Sequence, residues 1–295
     1  MKREKLLDYL QSTKDAFYAR EIDDAIILHF DLMLEHYERK PFFCKALMKH
    51  DRLMVVMTLF AFHYRSPLTP LSQVREFCVR RGYLSRNSLE SYFSFLLVTG
   101  YMHIEVHPDD ARFRIYTPST SAIDEAARFI KAYLIAGDLL LARKDGPVTY
   151  ADATALLKCF FTGFVRLLDA DILLDSLLPE AKWIMNRDGG HLPMLALYLD
   201  ALRYRSSNGR YKVSTYAELS SRLHVSKTHV MRLVRDGEAK GYFRCCGSAV
   251  QMRPVFADTV RQTMAINFAV ARISIELGTH AKEDKSFSRG SESVS

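Results

Sequence analysis

One pattern of residues occurs twice in this 295-residue chain, and it restricts the folds that the chain can adopt. Residues 85–102 align without a gap on residues 226–243 at an offset of 141. Just upstream, residues 52–66 align on residues 192–206 at an offset of 140, and six of the fifteen positions are identical. A repeat of this length predicts two halves that contain the same elements in the same order.

The second copy, in residues 211–254, predicts two short helices in succession. Residues 217–223 have helical spacing, with apolar side chains four positions apart on one face. Ser226 follows and can cap a second helix through its hydroxyl. The buried stripe of that second helix is expected to consist of three apolar side chains: Val230, Leu233 and Val234.

The residues after the second helix predict a hairpin. Gly241 stands where a left-handed residue normally ends a helix. Residues 242–245 and 250–253 are rich in strand-forming side chains and surround a turn at Gly247 and Ser248. The second copy is therefore predicted to run helix, turn, helix, hairpin.

The first copy predicts the same order. Residues 71–81 form the first expected helix, Ser85 is the candidate cap of the second, and Gly100 ends it. Residues 103–106 and 113–116 alternate as strands on either side of a turn. A longer helix is expected to follow each hairpin, over residues 121–141 and 258–277.

This arrangement resembles the winged helix-turn-helix class of bacterial DNA-binding proteins. The residues that carry the resemblance are residues 216–219, Leu223, Val225, Ser226, Val230, Arg232, Leu233 and residues 240–242. One residue departs from the class, because Gly237 occupies a position where a leucine is usual. Glycine disfavours a helix by roughly 1 kcal/mol relative to alanine, so we expect the second helix of this copy to bend or end early.

The order of elements in the whole chain is similar to the MarR family of regulators, with two subunits fused into one chain. The resemblance implies a mainly α fold with small β wings, in which two winged units share a helical body and are related by a pseudo-two-fold axis. It also implies two reading helices that address half-sites one DNA turn apart, about 34 Å. The chain would be a pseudo-symmetric monomer or a homodimer.

The repeat also sets the expected domain boundaries. The first half covers residues 1–145, with its winged unit at about 51–118. The second half covers residues 146–280, with its winged unit at about 191–255, and residues 143–147 are the natural hinge. Residues 281–295 are rich in serine, lysine and glutamate and are predicted to be a disordered tail.

Positive charge is concentrated on the second copy. The formal net charge of the chain is +7, but residues 203–261 contain twelve lysines and arginines against four acidic residues, which is +8. The remainder is therefore close to −1. A basic footprint that coincides with the motif is what binding to DNA phosphates requires.

Specific side chains in the second copy are predicted to bind double-stranded DNA. The expected exposed positions at the start of the reading helix include Thr228, His229 and Arg232, and Arg232 can hydrogen-bond guanine in a bidentate manner. Positively charged side chains beside the groove and on the wing suit phosphate contacts: Arg222, Lys227, Arg244 and Arg253.

The first copy offers a weaker set. Arg86 suits a phosphate or guanine and Asn87 suits adenine, whereas Glu90 would repel the backbone. The other candidates are hydroxyls on the reading helix and arginines on the wing: Ser88, Ser91, Arg112 and Arg114. Residues 51–117 carry a net charge of only +2, so the first unit is expected to be the weaker DNA reader or to dock against protein.

The remaining composition argues against other classes. The catalytic signatures that we sought are absent, so we expect neither an enzyme nor a cofactor. The five cysteines lack zinc spacing, and the first residues lack the apolar core of a signal peptide, which favours a reduced cytoplasmic, nucleoid-associated protein of bacterial type.

His103 and His107 share a strand face but lack a third metal ligand. Cys245 and Cys246 could sense oxidants or simply pack.

The sequence therefore predicts a transcriptional regulator that binds a specific duplex site through two unequal winged units. Two alternatives remain open, a plasmid-type replication initiator and a winged-helix factor that binds proteins. A small-molecule effector in the helical body is a further possibility. Six aromatic side chains could line its pocket or could simply form core: Phe129, Tyr133, Phe160, Phe161, Phe164 and Trp183.

Overall fold

The structure, a computed structural model, describes residues 2–141, 152–187, 189, 191–203, 215–222, 225–246 and 249–290. The hinge predicted at residues 143–147 lies outside these residues. Within the described ranges, no helix combines the length and the apolar composition that crossing a membrane would require. The fold is mainly helical, with two small antiparallel hairpins.

The first half begins with helices that alternate with short breaks. Its helices are α1 (Arg3–Tyr18), α2 (Ile22–Arg39), α3 (Pro41–Leu47), α4 (His50–Arg65), α5 (Leu71–Arg80), α6 (Arg86–Val98) and α7 (Thr120–Asp138). The hairpin between α6 and α7 consists of β1 (Met102–His107) and β2 (Asp110–Pro118). We call the segment from α4 to β2, residues 50–118, the first unit.

The second half repeats this order after a helical insertion. Its helices are α8 (Ala153–Ala170), α9 (Leu174–Leu177), α10 (Lys182–Met185), α11 (Leu192–Arg203), α12 (Tyr216–Arg222), α13 (Lys227–Ala239) and α14 (Pro254–Gly290), with a 3₁₀ turn at Pro179–Ala181. The hairpin consists of β3 (Phe243–Cys246) and β4 (Ala249–Met252). We call the segment from α11 to β4, residues 192–252, the second unit.

The two units share their local structure at the offset that the sequence predicted. Helix α6 begins and ends 141 residues before α13, and Ser85 and Ser226 each cap their helix by accepting a hydrogen bond from a backbone amide three residues on. Gly100 and Gly241 both have positive φ, at 71° and 80°. A left-handed residue closes each helix end, and only glycine adopts this conformation without steric cost. The helix, cap and strand predictions are confirmed for both copies, and the turn predicted at Gly247 and Ser248 lies outside the described residues.

Three of the six shared positions upstream of these helices are core positions in both copies. Met54, Leu59 and Ala61 in α4 are buried, and so are their counterparts in α11: Met194, Leu199 and Ala201. Burial explains why these positions keep the same residue types, because core packing tolerates little change in volume.

The remaining helices form a body around α14. Helix α14 packs most extensively along α8 and also against α1, α7 and α2, while α4 packs on α8 and α11 packs on α2. Elements of both halves are therefore interleaved in one hydrophobic core. The helix α14 continues to Gly290, so residues 281–290 are helical where composition predicted disorder; residues 291–295 lie outside the described part.

A polar cluster joins the two halves within this body. The Arg261 guanidinium on α14 donates to both carboxylate oxygens of Asp23 on α2, with an Nη2–Oδ2 distance of 2.7 Å, and the Tyr198 hydroxyl on α11 donates to the same carboxylate at 2.5 Å. Burial acts to raise the pKa of Asp23, but the hydrogen bonds from Arg261 and Tyr198 outweigh it, so the pKa is lowered.

Two buried histidines meet at the same junction. The Nε2 atoms of His29 on α2 and His191, just before α11, are 3.0 Å apart, and Nδ1 of His29 lies 3.3 Å from the carbonyl oxygen of Ala132 on α7. His29 therefore carries its proton on Nδ1, and His191 donates from Nε2. Burial lowers the pKa of both rings, that of His191 to about 4, so both are neutral at pH 7.

Four of the six aromatic side chains that the sequence assigns to a pocket or to the core line a cavity between α4, α7, α8 and α14: Phe129, Tyr133, Phe160 and Phe164. Phe160, Phe161 and Phe164 on α8 are fully buried and pack on one another with ring centroids 5.0–5.9 Å apart. Tyr133 is also buried and packs against His29, whereas Trp183 belongs to the second unit's surroundings, described below.

Candidate nucleic-acid interface

Helix α13 buries one face and exposes the other. Its apolar stripe of Val230, Leu233 and Val234 is at most 2 % exposed. The opposite face presents exposed side chains at helical spacing: Lys227, Thr228, Arg232 and Arg235. A helix that is anchored by one stripe and cationic along the other has the form that entry into a major groove requires.

The hairpin is tied to the end of this helix. The Glu238 carboxylate accepts a hydrogen bond from the Cys245 backbone amide at 2.6 Å, and this bond, with the positive charge of Arg253 nearby, lowers the pKa of Glu238. Arg244 lies opposite Gln251 in the β-ladder, and both Arg244 and Arg253 are exposed. The hairpin arginines are thus held in a fixed position relative to α13.

Five exposed cations on α13, on β3 and just after β4 form no ion pair with any residue that the structure describes: Lys227, Arg232, Arg235, Arg244 and Arg253. The acids of α13 are engaged elsewhere, since Asp236 pairs with Arg187 at 2.6 Å and Glu238 binds the hairpin. Exposed cations without an ion-pair partner need not break an internal contact when an anionic ligand binds. Such a ligand also relieves their mutual repulsion. The cluster is suited to bind a polyanion.

Two of the predicted DNA contacts of the second unit, His229 and Arg222, do not belong to this exposed set. His229 is buried, with 8 % of its surface exposed, because it follows the cap on the side of α13 that faces the core. The expectation that His229 is exposed at the start of the reading helix is therefore wrong. The side chain of Arg222 lies outside the described part of the structure, so its predicted contact with phosphate stays a prediction.

Gly237 does not end helix α13, which continues to Ala239. A Cβ atom at this position would lie 2.4 Å from two carbons of the Phe243 ring and 3.4 Å from Trp183. The Phe243 ring is 1 % exposed and packs on Phe256 at 4.6 Å. The expectation that the helix ends early at Gly237 is wrong, and glycine here makes room for an aromatic ring of the hairpin.

The first unit presents fewer available groups on the equivalent helix. Arg86 and Asn87 are exposed at the start of α6. The hydroxyl of Ser88 accepts a hydrogen bond from the cap residue, and that of Ser91 donates to the Asn87 carbonyl oxygen at 3.0 Å. Glu90, also exposed, forms an ion pair with Arg75 at 2.5 Å.

The first hairpin is longer and carries its own ion pair. The Arg112 guanidinium donates to both oxygens of Asp110, which raises the pKa of Arg112 and lowers that of Asp110. Arg114 is exposed on the same strand. Pro70, just before α5, bridges antiparallel to Ile115, which adds a third extended segment beside the hairpin.

Other arginines of the first unit bind the body. Arg65 pairs with Asp169 at 2.6 Å, and Arg81 pairs with Asp171 and donates to the Leu168 carbonyl oxygen at 2.7 Å. These contacts fix the unit against the end of α8. These ion pairs also neutralise two arginines that could otherwise bind an anionic partner.

One exposed cation of α13, Arg235, is absent from the residues that the sequence predicts to bind DNA. Arg235 lies one turn beyond Arg232 on the exposed face, and its spacing could have indicated this. His103 and His107 belong to no cluster of three or more metal-binding side chains among the described residues. Cys245 is half-buried.

Comparisons of the chain with protein-family models, with curated proteins and with solved structures find no match.

Proposed function

We propose that this protein is a transcriptional regulator that binds a specific site on double-stranded DNA through two unequal winged helix units. In this proposal each unit contributes a reading helix, α6 or α13, and a wing, β1–β2 or β3–β4. The repeated order of elements on one body supports an arrangement like two fused MarR-type subunits.

One observation carries the proposal. Five exposed cations lack an ion-pair partner among the described residues: Lys227, Arg232 and Arg235 on the exposed face of α13, and Arg244 and Arg253 on and just after its hairpin. Arg232 is positioned to read guanine, while Lys227, Arg244 and Arg253 suit phosphates. The Thr228 side chain can reach either a base edge or a phosphate.

The two units would contribute unequally. In the first unit Arg65, Arg75, Arg81 and Arg112 are occupied by ion pairs with acidic side chains of the chain itself. Arg86, Asn87 and Arg114 would supply its contacts. We therefore assign most of the affinity to the second unit and a supporting role to the first.

Selection from a random duplex library tests the proposal. The full chain should enrich a motif that it binds at least about 1,000-fold more tightly than random duplex. Arg232→Ala should relax the preference at one base pair, by roughly 10- to 100-fold. The matched control, Lys227→Ala, should weaken selected and random duplexes alike, because a phosphate contact carries no sequence information.

The outcomes separate DNA recognition from the alternative of a factor that binds proteins. Failure to enrich any motif, with binding to random duplex also absent, would exclude DNA recognition and leave a role in binding protein. If Arg232→Ala and Lys227→Ala behave identically, then α13 does not read bases.

A further inference from the structure

A cavity lies between the first unit and the body. Its wall is formed by side chains of α2, α3, α4, α6 and α7 and of the first hairpin, and it is apolar over most of its area. Its free volume is about 80 Å³. An enclosed apolar cavity of about 150 Å³ binds benzene; this one is smaller but opens partly to solvent, so a single-ring molecule can extend towards its mouth.

One end of this cavity holds a buried carboxylate. Glu125 on α7 is 5 % exposed, and both Glu125 and His36 line the cavity. Its Oε1 atom is 2.6 Å from the Lys40 ammonium, whereas Oε2 lies 3.4 Å from His36 Nε2 and accepts no hydrogen bond from any described residue. A buried carboxylate oxygen without a donor is unfavourable, so a donor supplied from the cavity would be stabilised.

His36, Cys44 and Lys40 do not place a positive charge beside Glu125 inside the cavity. Burial lowers the pKa of His36, and nearby cations lower it further, which outweighs the effect of Glu125, so the imidazole is neutral at pH 7. Burial and the charge of Glu125 raise the pKa of the Cys44 thiol to about 12, so it is un-ionised. Lys40 is 41 % exposed and is not among the lining residues.

We propose that this cavity is a binding site for a compact, single-ring apolar molecule with one amino group, whose ammonium donates to Glu125 Oε2. The apolar wall accepts the ring, and the buried negative charge selects a cationic donor and excludes carboxylates. Because the wall includes α4, α6 and the first hairpin as well as body helices, occupancy would also fix the first unit on the body.

Titration calorimetry on the full chain at pH 7 with three probes tests the site. Benzylamine should bind, benzyl alcohol should bind about tenfold more weakly since its donor is uncharged, and benzoate should show no binding at millimolar concentration. Comparable binding of benzoate and benzylamine, or no binding of benzylamine, would overturn the proposal. No DNA is present in this measurement, so its result is independent of the proposed function.

Two variants assign the binding to the cavity. Glu125→Gln keeps the shape and an acceptor but removes the charge, so the affinity for benzylamine should fall at least tenfold while that for benzyl alcohol stays within threefold. Retained binding of the alcohol also shows that the variant is folded. Ala126→Leu fills the cavity and should abolish binding of both probes with an unchanged circular dichroism spectrum. Unaltered benzylamine affinity in either variant would place the ligand elsewhere.

Discussion

Replacing Gly237 with leucine sets two effects of opposite sign against each other. Helix propensity alone predicts stabilisation of roughly 1 kcal/mol, since glycine is that much worse than ordinary residues inside a helix. The structure predicts the reverse. The first added carbon would lie 2.4 Å from Phe243 ring carbons, where contacts of about 3.5–4.0 Å are normal.

The ring has little freedom to move away. It is 1 % exposed and lies 4.6 Å from Phe256, so the added side chain must displace well-packed neighbours. Overpacking of this kind costs about 1–3 kcal/mol, and leucine adds four carbons, which favours the upper end. Subtracting the gain in propensity, we expect Gly237→Leu to lower the free energy of unfolding by about 2 kcal/mol.

Urea denaturation followed by tryptophan fluorescence measures this change locally. Trp183 is the sole tryptophan, and its ring lies 3.4 Å from the Cβ position and stacks on Tyr242 at 5.6 Å. Arg235→Leu, an exposed position on the same helix, is the control and should change stability by less than about 0.5 kcal/mol.

A double variant tests the cause. The first unit has Leu96 and Met102 where the second has Gly237 and Phe243. Gly237→Leu combined with Phe243→Met should therefore recover most of the lost stability. A single variant that is more stable than the wild type would refute the packing argument and favour propensity alone.

Four further outcomes are expected elsewhere in the chain. Ser226→Ala should cost about 1 kcal/mol of stability by removing the cap of α13, measured by urea denaturation. The buried pair His29 and His191 is neutral in the folded state, with the pKa of His191 at about 4 against 6.5 unfolded, so stability should fall as the pH drops from about 6.5 towards 4. Substituting both histidines with leucine should flatten this acid dependence in thermal melts at pH 4.5–7.5. Arg232→Ala should relax base preference in duplex selection, because it removes the bidentate contact to guanine. Arg244→Ala should leave that preference unchanged and lower affinity for all duplexes, in the same assay.

Local structure was predictable because its determinants are close in sequence. The caps Ser85 and Ser226 and the left-handed Gly100 and Gly241 each depend on hydrogen bonds within a few residues, and all four were correctly placed. Hairpin positions followed from alternation of side chains and turn residues.

What the sequence could not predict depends on contacts between distant elements. His229 occupies an expected exposed position, yet the fold buries it. Gly237 looked unfavourable in its helix until the Phe243 ring was located. The contact between His29 and His191 joins residues 162 apart in the chain. The position of Glu125 in an apolar cavity likewise depends on how the first unit packs on the body, for which periodicity carries no information.

The salt dependence of duplex binding tests the central claim most directly. Each phosphate contact contributes a slope of about −0.9 to log K against log salt. Without the base-reading Arg232, the other four cations of this surface (Lys227, Arg235, Arg244 and Arg253) predict a slope at least as steep as about −3.6 and a loss of roughly 150-fold or more in affinity between 50 and 200 mM salt. Joint replacement of Arg244 and Arg253 by alanine should make the slope shallower by about 1.8. A slope near zero, or one that the double replacement leaves unchanged, would contradict the assignment of this surface to DNA.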